Sequence, residues 1–199
     1  MKYFIVGLHS IGKQEVINRL EKMGIKCGKL FSNIETPTPE QYNSCNYELY
    51  SNEDIHDVFE NNAYVFIQEL PRTNLDFDTN KYYEGLSKYT LDQNDVFVLS
   101  PDQLLSVIPN TLDKDICFVW MDGTKSRRIS RYRSEHRSYS YQDRESQECR
   151  DLSSFVKALY SYNAPVLYFM EEEPQRVASI IYTTITHPDT FDMFVKNFN

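Results

Sequence analysis

The chain has 199 residues, which is enough to bury the core of one domain. Its formal net charge of −8 argues against broad binding of nucleic acid polymers, because an acidic surface repels phosphate. Its four cysteines are widely separated and have no nearby histidine pattern, so we expect reduced thiols and no metal held by protein side chains. The N-terminal residues lack the pattern of a signal peptide, and no apolar run approaches the ~20 residues of a membrane span. We therefore expect a cytoplasmic protein without a membrane partner.

The first elements predicted along the chain are a strand, a glycine-bearing loop and a helix. Residues 2–6 form a β-branched and aromatic run that ends at Gly7, and residues 13–23 show helical spacing of apolar positions before Gly24. Residues 31–51 are rich in Pro, Asn, Ser and Tyr, which argues against a regular helix there. The patterns further along predict helices over residues 52–61, 86–91, 101–107, 146–160 and 175–184, and strands over residues 64–70, 95–100, 116–121 and 166–170.

The alternation of strands and helices predicts an α/β fold with a mostly parallel sheet. Residues 116–121, ICFVWM, are an uninterrupted apolar run of strand length, as expected in the middle of a parallel sheet that is covered on both faces. No pattern assigns a role to residues 186–199.

The loop between the first strand and the first helix resembles a phosphate-binding loop. Gly7, Gly12 and Lys13 match the GxxxxGK pattern, in which backbone N–H groups surround a phosphate at a helix N-terminus. Gln14 stands where a Ser or Thr hydroxyl would join the shell of Mg²⁺, so the metal would be held mainly by phosphates and water. An ordinary turn between strand and helix is the alternative interpretation.

A basic segment, KSRRISRYRSEHR, follows the apolar strand directly. Phosphoryl transfer is catalysed chiefly by positioned positive charge, so Arg127, Arg128, Arg131 and Arg133 could close over a triphosphate as a lid. Arg127 and Arg131 share a helix face by their i, i+4 spacing. The alternative is a solvated helix face with surface ion pairs.

In this order the motifs resemble the guanylate kinase family of nucleoside monophosphate kinases, over residues 2–185. NYELYS is similar to the family's DY-x-F-x-S stretch, which implies that Tyr47 contacts the monophosphate. YYEGLSK resembles the family's YYG(T/V)S segment, which implies that Tyr82 or Tyr83 binds the monophosphate and that Ser87 is the matching hydroxyl.

Three further motifs extend the resemblance. The family's base-contacting glutamate corresponds to Glu69 or, with a shift of one residue, to Gln68. NDVFVLSPDQL is similar to the strand that ends in a family aspartate, and Ser100 takes that aspartate's place. ICFVWMDGTKSRRISRYR fits the strand that leads into the arginine lid, and Arg150 matches the second arm of the lid.

The resemblance implies a P-loop three-layer α/β/α fold with a mostly parallel central sheet and an inserted acceptor-binding lobe. The core would comprise residues 1–32, 91–123 and 151–185, the lobe residues 33–90 and the arginine lid residues 124–150. The implied activity is transfer of the γ-phosphoryl group of ATP, with Mg²⁺, to GMP or a related (d)NMP, and a homodimer is left open. The implied site residues are Lys13, Arg128 and Arg131 for catalysis; Gly7, Ser10, Ile11, Gly12, Lys13, Gln14, Arg127 and Arg150 for ATP; and Tyr47, Glu69, Tyr83 and Ser87 for the monophosphate.

Some positions depart from the family pattern. Glu35 and Thr38 stand where the family has two arginines that clamp the monophosphate, and a carboxylate cannot replace a guanidinium that binds phosphate. Either the acceptor is held differently, through Tyr47, Tyr83 and Arg72, or this protein does not phosphorylate GMP. Two other functions stay open, namely a guanylate kinase-like binding module that has lost the chemistry and another P-loop NTPase.

Overall fold

The computed structural model describes residues 1–8, 10–33, 47–69, 82–111, 115–134, 149, 152–153, 156–157, 159, 162 and 164–195. The chain folds as two compact units. The core unit comprises Met1–Cys27 and Asp95–Asn199, and the inserted unit comprises Gly28–Asn94. The boundaries of the acceptor lobe and the lid, which were inferred from the sequence, are not tested by this division and stay predictions.

The secondary structure alternates between strands and helices along most of the described chain. In chain order the elements are β1 (Lys2–Val6), α1 (Lys13–Lys22), β2 (Cys27–Gly28), β3 (Leu30–Ser32), β4 (Tyr47–Leu49), α2 (Asn52–Glu60), β5 (Tyr64–Glu69), β6 (Tyr83–Ser87), α3 (Lys88–Gln93), β7 (Val96–Val98), α4 (Pro101–Val107), β8 (Ile116–Asp122), α5 (Lys125–Ser134), β9 (Val166–Met170) and α6 (Pro174–Thr186).

The core unit is built on a five-stranded sheet with the order β2-β7-β1-β8-β9. β1 pairs in parallel with both β7 and β8, and β8 pairs in parallel with β9. Helices flank this sheet, so the predicted α/β fold with a mostly parallel central sheet is confirmed. The apolar run ICFVWM forms most of β8, an interior strand, as its composition predicted.

Two helices cover one face of the core sheet with their apolar sides. Val16, Ile17 and Leu20 of α1 join one hydrophobic cluster with Val177 and Ile181 of α6, and all five are almost completely buried. Each fully buried aliphatic side chain contributes about 1.5–3 kcal/mol relative to exposure. This cluster fixes the start of α1, and therefore the loop that precedes it, against the end of β1.

The inserted unit contains a separate four-stranded sheet with the order β4-β3-β6-β5. β3 is parallel to β4 and antiparallel to β6, and β5 is antiparallel to β6. α2 begins with a capping box in which the Ser51 hydroxyl accepts from the Asp54 N–H and the Asp54 carboxylate accepts from the Ser51 N–H.

The predicted helix over residues 86–91 is wrong at its start. Leu86 and Ser87 belong to β6, and the helix begins at Lys88. Leu86 is completely buried in the sheet, and the Ser87 hydroxyl accepts a hydrogen bond from the Thr90 N–H at 3.0 Å. A serine in extended conformation that caps a following helix marks the boundary between the two elements.

Part of the segment after α6, to which no sequence pattern assigned a role, packs on the core unit. A 3₁₀ helix covers Pro188–Met193, and Phe191 and Phe194 pack against the core cluster. The predicted helix over residues 146–160 lies largely outside the described residues. Among the helices that the structure describes, none combines the length and the apolar character needed to cross a membrane.

Candidate functional site

The loop between β1 and α1 has a backbone that requires glycine at two positions. A Cβ atom on Gly7 would lie 2.3 Å from the main-chain oxygen of Met121, so any larger residue would force β8 away. Gly12, the N-cap of α1, has φ 100°, and Ser10 also has a positive φ of 56°. Left-handed conformations of this kind turn successive N–H groups in one direction, which suits an anion.

Lys13 directs its ammonium group back across the start of this loop. Its Nζ donates to the main-chain oxygen of Gly7 and, at 2.9 Å, to that of Leu8. Gln14 is turned away along the helix, because its Nε2 donates to Asn18 Oδ1 at 3.0 Å. The ammonium group of Lys13 is therefore held at the loop, whereas the side chain of Gln14 is hydrogen-bonded within α1.

Arg131 of α5 lies against the same loop. A Cβ atom on Gly12 would lie 3.0 Å from Arg131 Nη1 on one side and 2.9 Å from Pro174 Cγ on the other. Arg131 Nη2 also donates to Glu15 Oε1, in the first turn of α1. The basic helix and the glycine loop, which are more than 100 residues apart in sequence, thus meet at Gly12.

The other predicted arginines differ in their surroundings. Arg127 Nη2 donates to Glu173 Oε1 at 2.6 Å, and its Nη1 donates to the main-chain oxygen of Glu171. Arg128 is 5% exposed, so its guanidinium lies inside the core unit. Arg150, predicted as the second arm of the lid, lies outside the described residues.

The side chain of Glu171, the residue directly after β9, contacts the chain directly before α5. Its carboxylate accepts from the Thr124 N–H at 3.1 Å. Hydrogen bonds from the side chain and main chain of Thr124, with a smaller contribution from Arg127, lower the pKa of Glu171 below its ordinary value. The carboxylate of Glu171 therefore lies beside the first turn of the basic helix.

The residues of the inserted unit that were predicted to bind the monophosphate do not all contact the same partner. Tyr47 donates its hydroxyl hydrogen to Glu84 Oε2 at 3.0 Å, and Gln68 Nε2 donates to Glu84 Oε1. Glu69 is instead the register partner of Tyr83. Consecutive residues of a strand point to opposite faces, so the structure brings Tyr47 together with Gln68 rather than with Glu69.

Tyr83 and Ser87 have structural contacts of their own. The Tyr83 ring packs edge to face on Phe59 of α2 with ring centroids 5.3 Å apart, and its N–H donates to Asn33 Oδ1 at 2.7 Å. Ser87 caps α3. The assignment of Tyr47, Glu69, Tyr83 and Ser87 to a monophosphate remains a prediction.

Sequence reasoning did not identify the carboxylates that pair with the predicted arginines, and it noted Glu84 only as a departure from the family pattern in the YYEGLSK segment. Glu15 and Glu173 pair with arginines of α5, and Glu84 meets Tyr47. The contacts made by Glu15 and Glu173 depend on long-range packing that no local pattern encodes. Glu84 did carry a signal, because strand alternation places it on the same face as the buried Leu86.

A parallel sheet whose first strand runs through a glycine loop into a helix defines this chain as a P-loop-type α/β protein. Its fold matches the crystal structure of guanylate kinase from Anaplasma phagocytophilum with a TM-score of 0.54, over 100% of this chain and 90% of that chain, at 9% sequence identity. The chain therefore has the guanylate kinase fold.

A second solved structure, deoxyadenosine kinase from M. mycoides with dCMP and dCDP bound, aligns with a TM-score of 0.45 over 94% of this chain and 98% of that chain, at 12% identity. No protein-family model and no curated protein matches the sequence.

Proposed function

We propose that the chain is an ATP-dependent nucleotide kinase of guanylate kinase type, which transfers the γ-phosphoryl group of ATP to GMP or a related nucleoside monophosphate. The observation that carries this proposal is the meeting of Lys13 and Arg131 at the loop from Gly7 to Gln14. Two cations and a run of backbone N–H groups at a helix N-terminus form a site for a polyphosphate. The guanylate kinase fold is consistent with such a site.

The contacts of the loop indicate how the residues would act on ATP. Lys13 would exchange the carbonyl oxygens of Gly7 and Leu8 for phosphate oxygens, and Arg131 would exchange Glu15 for the same group. Both cations would then lie where negative charge develops during phosphoryl transfer. Arg127 could join them after leaving Glu173.

The residue that follows Lys13 offers Mg²⁺ little support. The Gln14 amide is bonded to Asn18, and an amide at this position replaces the hydroxyl that usually enters the metal shell. Mg²⁺ would therefore enter with the nucleotide, held by phosphates and water, and would neutralise phosphate charge. The protein's own contribution is the positioning of Lys13 and the arginines.

Turnover of a Lys13→Ala variant tests the proposal. Loss of a positioned cation at the transferred group should lower kcat/KM at least about 100-fold. Lys22→Ala is the matched control, because Lys22 is an exposed lysine in the last turn of the same helix. A coupled assay with ATP and each nucleoside monophosphate gives the rates, and equal turnover by both variants would remove the support for this function.

A binding module without chemistry is the second candidate. The pairing of Arg127 and Arg131 with carboxylates favours it, since these arginines are already neutralised without a nucleotide. Failure of a fluorescent ATP analogue to bind at millimolar concentration would support the module. Hydrolysis of ATP that no acceptor stimulates would instead indicate another P-loop NTPase.

A further inference from the structure

The first turn of α5 is held by the turn that follows β9. Glu171, the first residue of that turn, extends the pairing of β8 with β9, because its N–H donates to the main-chain oxygen of Asp122 at 2.9 Å. Its side chain accepts from the Thr124 N–H at 3.1 Å, and its main-chain oxygen accepts from Arg127 Nη1. Glu173 adds a further contact to Arg127. These hydrogen bonds to α5 and its N-cap join segments that are 44 to 47 residues apart in sequence.

The contact with Thr124 supplies the missing half of a capping box. Thr124 directly precedes α5, and its main-chain oxygen accepts the first bond of the helix, from the Arg128 N–H at 3.1 Å. In a capping box the side chain at the third helical position accepts from the N–H of the N-cap residue. That position is Arg127, which has no acceptor, and Glu171 provides one from outside the helix. The start of α5 therefore depends on a residue of another segment.

Glu171 makes these contacts from a backbone conformation that few side chains adopt. Its φ is 55°, in the left-handed region, and the residue is exposed, so burial does not hold it there. Strained residues of this kind persist where surrounding contacts determine them, and they cluster at functional sites. The contacts of Glu171 lead to Thr124 and Arg127, at the start of the basic helix.

The same residue lies close to the glycine loop. A Cβ atom on Gly123 would lie 2.5 Å from Ile11 Cδ1 and 3.9 Å from Glu171 Cγ, so Gly123 is next to both the loop and the Glu171 side chain. A helix rises about 1.5 Å per residue, which places Arg131 about 9 Å along the axis from Lys125. A displacement at the start of α5 would therefore move Arg131 relative to the loop.

We propose that Glu171 is a positioning residue for phosphoryl transfer, which fixes the start of α5 and thereby holds Arg131 at the loop from Gly7 to Gln14. The inference rests on the proposed function, because it takes Arg131 as a group that acts on the triphosphate. The bond from Thr124 to Glu171 uses a main-chain N–H and no arginine. It can therefore persist while Arg127 and Arg131 exchange their carboxylates for phosphate.

A double-mutant cycle in kcat tests the inference. Glu171→Gly removes the acceptor and suits the positive φ, so the chain should fold, and kcat should decrease about tenfold while KM for ATP stays within about threefold. Glu171→Gln keeps an oxygen that accepts from the Thr124 N–H and should restore kcat to within about threefold of the wild type. In an Arg131→Ala chain, Glu171→Gly should lower kcat no further. Glu172→Ala is the matched control, because Glu172 lies in the same turn and pairs with Arg176.

Amide hydrogen exchange followed by NMR gives a readout that does not depend on activity. The Thr124 N–H should exchange about tenfold faster in Glu171→Gly than in the wild type, and at the wild-type rate in Glu172→Ala. An unchanged rate in Glu171→Gly would overturn the inference, and so would a further loss of kcat from this change in the Arg131→Ala chain. Faster exchange at Thr124 in a chain that shows no phosphoryl transfer would reject the kinase and leave the anchoring of α5 by Glu171 standing.

Discussion

In the proposed site, Glu15 would compete with ATP for Arg131. The Glu15 side chain is 52% exposed and that of Arg131 is 21% exposed, so water screens their ion pair in part. A pair of this kind is worth about 0.2–1 kcal/mol. Removing it in Glu15→Gln should therefore tighten ATP binding by about 1.4- to fivefold, with a smaller gain at high salt.

Isothermal titration calorimetry at two salt concentrations measures this effect. Glu21→Gln provides the matched control, since Glu21 lies on the same helix but near its other end. Weaker ATP binding by Glu15→Gln would show instead that Glu15 positions Arg131 for the triphosphate.

Gly7 and Gly24 give contrasting predictions for the same substitution. Alanine at Gly7 would bring its Cβ against the main-chain oxygen of Met121, so Gly7→Ala should cost about 3 kcal/mol of unfolding free energy or more. Nothing lies within 4 Å of a Cβ at Gly24, where only the positive φ opposes a side chain. Gly24→Ala should therefore cost only about 1 kcal/mol. Urea unfolding compares the two, and equal losses would contradict the close approach of β8 to the loop.

Ser87 has a structural role at the boundary of β6 and α3. Its hydroxyl caps the helix at Thr90, and loss of such a cap costs about 1 kcal/mol, which is the expected loss of stability in Ser87→Ala. Ser87→Thr retains a hydroxyl and should recover most of that loss. If chemical denaturation shows Ser87→Ala as stable as the wild type, the cap is unimportant and the hydroxyl is free for another role.

The elements predicted from the sequence are those whose burial follows from local pattern. β1, β8 and β9 are continuous apolar runs, and α1 and α6 repeat apolar residues at helical spacing, so each shows its environment in its own residues. β3, β4 and β6 were not predicted because they are stabilised by partners far away in sequence, and β3 and β4 have only three residues each. The same limit applies to the site. The loop from Gly7 to Lys13 could be predicted because it is a contiguous sequence motif, whereas the carboxylates that pair with the arginines are brought there by long-range packing.

For the whole molecule, the structure predicts loss of stability at alkaline pH. Burial raises the pKa of both the Cys27 and the Cys117 thiols from 9.0 to about 12. The pKa of each thiol is higher in the folded state than in the unfolded state. The contribution of the two thiols to the free energy of unfolding is therefore fully present below about pH 9 and is lost as the pH rises toward 12. Denaturant midpoints between these values should fall, and Cys117→Ala should reduce the slope. A flat profile would contradict the burial of these thiols.

The cysteines also report whether ATP binds the folded core unit. Cys117 is completely buried in β8, whereas Cys149 is exposed, so a thiol reagent should label Cys149 at once and Cys117 only when the core unit opens. A ligand of the folded state suppresses opening by mass action, by a factor of about 100 at 100 times its Kd. ATP should therefore slow labelling of Cys117 and leave Cys149 unchanged in the wild-type chain, and Lys13→Ala should lose most of this protection. Peptide mapping by mass spectrometry measures both rates in one sample. Labelling of Cys117 that ATP does not slow would show that the loop holds no triphosphate, whatever the fold resembles.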